Sequence, residues 1–121
     1  VWQVFSFGPI LIDNGEIYQD KTFWTDHYDY HNPRTAIGMI EPNHYLLLAA
    51  DGRSKYGIGM TIDEMAEYML NKGVTVAYNL DGGGSTTMYF NGKVINHPCG
   101  ARDVIKERSV TDILYIEGET D

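Results

Sequence analysis

Apolar and polar positions alternate through residues 1–7, Val-Trp-Gln-Val-Phe-Ser-Phe, and the run stops at Gly8-Pro9. That period of two predicts a half-buried strand. Ile10-Leu11-Ile12 leads into Asp13-Asn14-Gly15, and because Asn-Gly accepts the positive φ of a type I′ turn, a hairpin is expected there. Residues 19–32 break the pattern. They are aromatic, acidic and histidine-bearing, which suits a long surface loop. Two strands follow over residues 34–40 and 45–51, joined across Glu41-Pro42-Asn43-His44.

The period then changes to that of a helix over residues 62–72. Ile62, Met65, Ala66, Met69 and Leu70 recur on one face, Thr61 is placed as N-cap, Glu64 completes a capping box and Gly73 supplies the stop. Met60, Met65 and Met69 read as core filling rather than a cofactor-binding stripe. Residues 74–80 read as a buried strand and Asp81-Gly82-Gly83-Gly84-Ser85 as a turn. A second hairpin is expected for residues 86–90 and 93–95 around Asn91-Gly92, then a last strand over 110–117 and a frayed end at 118–121. Without repeat or linker, residues 1–121 form one α+β unit, mostly antiparallel or mixed sheet with one main amphipathic helix. A strand-like run opening at residue 1 implies that the chain has been cut there by processing or cloning.

Composition narrows the partners. At 121 residues and 43% hydrophobic, the chain can bury the core of one domain. A net charge of −8 with only nine Lys and Arg argues against nucleic acid or an anionic membrane surface. No apolar run reaches membrane-spanning length, so no membrane insertion is expected. Cys99 is the one cysteine, which rules out an intrachain disulfide and a thiolate metal cluster. Asp26, His27, Asp29 and His31 are of metal-ligand type, but they alternate with aromatics and lack site spacing. They read as a solvated or substrate-rim loop, and no metal or cofactor is expected.

Four short stretches carry candidate chemistry. In Asn79-Leu80-Asp81-Gly82-Gly83-Gly84-Ser85-Thr86-Thr87, consecutive glycines imply positive φ or a close backbone approach. Exposed amides in such a turn can hold an oxyanion, with Asp81 projecting a carboxylate beside them and Ser85 and Thr86 as neutral donors. A tight hairpin merely capped by Asp81 is the alternative. A nucleotide P-loop does not fit, since no Gly-Lys-Ser/Thr follows. Arg34 opens an otherwise apolar or small strand, where a guanidinium pairs with an acid or binds a ligand oxyanion. Asp51-Gly52-Arg53-Ser54 ends another apolar strand, either as a presented carboxylate or as a turn. Glu107-Arg108-Ser109 precedes the last strand, with surface ion pairing as its plainer reading.

Taken in order, Asn-Pro-Arg-Thr-Ala-Ile-Gly, Asp-Gly-Arg-Ser, Gly-Met-Thr-Ile-Asp-Glu-Met-Ala, Asn-Leu-Asp-Gly-Gly-Gly-Ser-Thr-Thr-Met, Asn96-His97-Pro98 and Glu107-Arg108 resemble the phosphodiester glycosidase family across nearly the whole chain. Phe7-Gly8-Pro9-Ile10-Leu11-Ile12 is similar to the family's lead into this region. The resemblance implies the C-terminal half of the family domain, completed by its N-terminal half or by a second chain. It implies hydrolysis of a sugar-1-phosphodiester, or of a phosphorylated glycan, at the anomeric C1–O bond, releasing a sugar such as N-acetylglucosamine and a phosphomonoester outside the cytoplasm. On that reading Arg34, Arg53 and Arg108, with the Gly82, Gly83 and Gly84 amides, Ser85 and Thr86, clamp phosphate. Asp81 is the first choice of catalytic carboxylate and Asp51 the second, while Asn79 bonds a sugar hydroxyl or orients Asp81. Two other classes compete: a non-catalytic module binding anionic glycans, and a metal-dependent phosphodiesterase that would cut the P–O bond.

Overall fold

The computed structural model of the chain describes residues 4–118. The fold is α+β, one helix on one face of a five-stranded sheet in which every pairing is antiparallel. In chain order the sheet uses β1 (Ile10–Asp13), β2 (Glu16–Ile17), β3 (Arg34–Glu41), β4 (His44–Ala50) and β5 (Val76–Leu80), arranged β2-β1-β5-β3-β4. Asn14 and Gly15 take φ of 50° and 75°, closing the β1–β2 hairpin by the expected turn chemistry.

Helix α1 (Ile62–Asn71) begins at Thr61, whose hydroxyl accepts from the Glu64 amide while the Glu64 carboxylate accepts from the Thr61 amide. Such a cap contributes about 1 kcal/mol. Gly73, at φ 87°, ends the helix and turns the chain back into the sheet. Ile62, Met65, Ala66 and Met69 bury against Leu11, Ile12, Ala36, Val74 and Ala77, and this cluster is the core. Gly38 permits the approach. A Cβ there would lie 2.6 Å from a Val74 methyl and 2.7 Å from the Met69 methyl.

The register positions the site. Ala36 pairs with Asn79 and Gly38 with Ala77, so Arg34, Ala36, Ala77 and Asn79 share the helix-facing side of the sheet. Arg34 and Asn79 lie beyond the helix N-terminus, where the sheet end is left open. Thr35, Ile37, Met39, Tyr45, Leu47, Val76, Tyr78 and Ile10 share the opposite side through the pairs Ile37–Tyr78, Ile37–Leu47 and Met39–Val76.

Two expected strands do not form. Residues 4–7 are irregular, with Val4 and Phe7 exposed, and among the described residues only the Phe7 amide is bonded, to the Tyr78 hydroxyl. Val1, Trp2 and Gln3 lie outside the described residues. Residues 110–117 are also irregular and exposed, because no strand edge among the described residues receives them. Alternation supplies a face but not a partner. Beyond the sheet are two short hairpins, β6 (Tyr89–Phe90) with β7 (Lys93–Val94) and β8 (Cys99–Ala101) with β9 (Val104–Ile105). The second was not foreseen. Its signal is weak, an Arg102-Asp103 turn in which Asp103 takes φ 57°.

Candidate active site

The open sheet end is a cavity of about 410 Å³, walled by segments that are far apart in sequence. Asn79, Leu80 and Asp81 come from the end of β5, Pro33 and Arg34 from the start of β3, and Arg53 from the turn after β4. Gly82 and Gly84 belong to the turn after β5, while Gly100 comes from the β8–β9 hairpin and Arg108 from beyond it. Thr25, His27, Tyr28 and Asn32 of the long loop form a further side. Three arginines and one carboxylate, Asp81, therefore face one space among the described residues.

Each glycine of the triplet has its own reason. Gly83 alone takes positive φ, 64°, and a Cβ there would also lie 2.7 Å from the Cys99 carbonyl. Gly82 is extended, but a Cβ would lie 2.6 Å from the Pro33 carbonyl oxygen and 2.8 Å from Arg34 Cα. At Gly84 a Cβ would come within 3.1 Å of the Lys106 carbonyl. The turn is thus pressed between the start of β3 and the β8–β9 hairpin. The Arg108 amide donates to the Gly84 carbonyl at 2.5 Å, tying Arg108 to the same turn.

Arg34 is 8% exposed. Its Nε donates to the Met60 carbonyl at 2.6 Å and its Nη2 to the His27 and Tyr30 carbonyls at 2.7 and 2.9 Å. Burial is the main cause holding its pKa below the ordinary arginine value, with Tyr28 acting against it and Arg53 with it. Arginine stays cationic all the same. Among the described residues Nη1 has no protein acceptor, so this cation keeps one fork arm for a ligand while the rest holds the loop. Arg53, at φ 55°, donates to the Gly100 carbonyl at 3.1 Å and to Asn32 Oδ1 at 2.9 Å. Arg108 faces Asp81 at 3.7 Å with both side chains largely exposed, a pairing worth no more than about 1 kcal/mol. It can turn to an anion at little cost.

Asn79 is 2% exposed, and its Nδ2 donates to the Gly8 carbonyl at 2.8 Å. Its Oδ1 is buried without a protein donor among the described residues. Buried polar atoms are rarely left so, because an unmade hydrogen bond costs about 1–3 kcal/mol.

The remaining sequence candidates stand elsewhere. Asp51 is not on the cavity wall. Both its oxygens are taken by His97, from the ring Nδ1 at 2.6 Å and the amide at 2.7 Å. The imidazole stacks on Tyr56 at 3.6 Å. Asp51, Gly83 and Thr86 border a shallow depression on the other side of the glycine turn. Thr86 donates to the Asp81 carbonyl and meets the Thr35 hydroxyl. Ser85 Oγ is buried without a partner and away from the cavity.

A sequence model of the phosphodiester glycosidase family matches residues 1–117. The chain belongs to that family. It is 36% identical over 121 residues to the SPbeta prophage-derived uncharacterized protein YomE of Bacillus subtilis, covering 97% of this chain and 18% of that protein. It is 35% identical to human N-acetylglucosamine-1-phosphodiester alpha-N-acetylglucosaminidase, covering 79% of this chain and 21% of the relative. The chain thus spans about one fifth of the length of these relatives. Among solved structures, it superposes on the catalytic domain of the zebrafish enzyme of that name, auto-inhibited by its pro-peptide. The TM-score is 0.65 at 28% identity, over 84% of this chain and 38% of that one.

Beside the cavity, one residue was not singled out from the sequence. His97 stood only within the Asn-His-Pro string, and its aspartate partner lies 46 positions away. The loop, which the sequence reads as solvated or as a substrate rim, walls the cavity through Thr25, His27 and Tyr28. Among the described residues no helix is long and apolar enough to cross a membrane.

Proposed function

We propose that the chain carries the phosphate-binding and catalytic part of a hydrolase acting on sugar-1-phosphodiesters at the anomeric C1–O bond. What carries the reading is the convergence of Arg34, Arg53 and Arg108 with Asp81 on one cavity, in a member of this family. A water adds to C1 as the C1–O bond breaks, and the electron pair leaves on the phosphate oxygen. A phosphomonoester leaves readily, so the site needs little acid on that side. It needs fixed positive charge where negative charge grows, and three arginines supply it. Asp81 takes the proton of the incoming water or faces the developing oxocarbenium carbon. Asn79, buried and tied through Nδ2 to the Gly8 carbonyl, acts by fixing the end of β5 and so orienting Asp81. The same reading puts the reaction outside the cytoplasm.

One observation favours a second reading, a module that binds anionic glycans without cleaving them. Among the described residues Asp81 is the only carboxylate on the wall, since Asp51 is held by His97 outside it. Asp81→Asn decides between the two. It keeps the shape of the side chain and removes its charge. Hydrolysis of a UDP-linked N-acetylglucosamine by the wild-type protein should fall by roughly 10³-fold or more in the variant, while inorganic phosphate still binds. Equal turnover by both proteins would remove Asp81 from the chemistry. A wild-type protein that binds but never turns over would establish the binding module.

A further inference from the structure

Resting on that reading, we infer that the side chains of Thr25, His27 and Tyr28 are the sugar-recognising wall of the site, contacting a pyranose ring attached to the bound phosphate. The cavity has two unlike sides. Around the glycine turn it is cationic, with Arg53 and Arg108. The loop side offers a hydroxyl, an imidazole and a phenol ring, which suit a neutral ring bearing both hydroxyls and apolar C–H faces.

The way the loop is held separates its fold from its side chains. Arg34 grips the carbonyls of His27 and Tyr30, and Asn32 pairs with Met60 through both backbone amides at 3.2 and 3.0 Å. Asn32 Nδ2 reaches the His27 carbonyl, and its Oδ1 accepts from Arg53. These anchors use backbone atoms at positions 27 and 30, so the side chain at position 27 can change while the loop stays in place. Thr25 sits where a helix cap would be, yet its hydroxyl makes no cap bond. Its hydroxyl and the His27 imidazole have no hydrogen-bond partner among the described residues, and both residues line the cavity. Tyr28 is braced edge-on against Trp24, with ring centroids 5.0 Å apart, and Lys21 lies over the Trp24 ring at 4.1 Å. A braced ring is a fixed surface for a sugar face. The cavity volume, about 410 Å³, lies within the roughly 300–1,000 Å³ of small-molecule sites.

Calorimetric binding to the full chain tests this without relying on turnover. The probes are N-acetylglucosamine 1-phosphate, glucose 1-phosphate and inorganic phosphate, and the variants are His27→Ala and Thr25→Val. Both residues are exposed, so the variants should fold. The wild type should prefer a sugar phosphate to inorganic phosphate, and each variant should lose about fivefold of that preference, the worth of one hydrogen bond. Inorganic phosphate should bind each variant within about twofold of wild type. An unchanged preference, or an equal fall for phosphate and sugar phosphate, would overturn the proposal. So would a wild type with no preference. If binding behaves as expected and no diester is hydrolysed, the wall stands and the proposed reaction alone fails.

Discussion

Replacing Gly82 with alanine isolates close approach from backbone conformation. Gly82 has φ −114° and ψ −165°, extended geometry that any residue adopts, so alanine brings no backbone strain. It lacks room instead. Its Cβ would sit 2.6 Å from the Pro33 carbonyl oxygen, where real Cβ atoms stay beyond 3.0 Å. The turn and the start of β3 must therefore part by about 0.4 Å or more, and with backbone on both sides no flexible group can yield. Overpacking of this kind costs about 1–3 kcal/mol, against a gain of about 0.4–1 kcal/mol from the stiffer unfolded chain. A net loss of about 1–2 kcal/mol should lower Tm by roughly 4–10 °C at this size. The same parting moves Asp81 and Gly84 away from Arg34, so inorganic phosphate should bind about tenfold more weakly and turnover should fall further. Gly92→Ala is the control. Gly92 has φ 81° with open space around it and no place on the cavity wall, so alanine there costs about 1–2 kcal/mol of strain and nothing in phosphate affinity. Thermal melts and phosphate calorimetry on the two variants decide the matter. If Gly82→Ala loses stability like Gly92→Ala but keeps wild-type phosphate affinity, the close approach does not position the site.

Arg108→Gln should leave stability within about 0.5 kcal/mol of wild type, because its pair with Asp81 is exposed, yet weaken phosphate binding by tenfold or more. Unaltered binding in calorimetry would take Arg108 out of the clamp. The Glu64 carboxylate is held below its ordinary 4.5, chiefly by the Thr61 amide, with desolvation acting against it and His31 adding a lesser lowering. A depressed carboxylate stabilises the fold above its unfolded pKa and loses that contribution as pH falls through the folded value. Denaturant titrations should thus show Glu64→Gln less stable at neutral pH, the gap closing as pH falls through and below the ordinary carboxylate value of 4.5; a gap independent of pH would contradict the capping role. Tyr45, Leu47, Val76 and Ile10 leave the sheet face opposite α1 apolar and exposed, and we propose that in the isolated chain it associates with a second copy. Light scattering should find the isolated chain self-associating at micromolar concentration and Leu47→Lys less so, and a monodisperse wild-type monomer would refute this.

What the sequence made legible is what side-chain pattern encodes. The α1 face, its capping box, the Asn-Gly turns and the antiparallel pairing of β3 with β4 all rest on local periodicity or on residues a few positions apart. The run from Asn79 to Gly84 pointed to the cavity for a similar reason, since a glycine triplet and a terminal carboxylate are visible in one window. What stayed hidden depends on contacts with backbone. Arg34 was weighed as an ion-pair partner or an anion ligand, whereas most of its hydrogen-bonding capacity goes to three carbonyls, and every residue has a carbonyl. Asp51 was weighed as a presented carboxylate, but its partner is His97, 46 positions away, and no local period reports such a pair. Among the described residues, the expected strands at residues 4–7 and 110–117 show the converse error. Alternation there is clear, but a strand also needs an edge to receive it, and the sequence of one strand does not contain its neighbour. A glycine is the nearest thing to a written record of a backbone contact. Gly38 and Gly82 each mark a place where another atom lies too close for a Cβ. Yet they mark only that something is near. Arg34 is where the two kinds of information meet, its Cα close beside Gly82 and its Nη2 bonded to the loop that carries Thr25, His27 and Tyr28. The residue that joins the phosphate side of the cavity to its sugar side is therefore readable as a charge in the sequence and as a joint only in the fold.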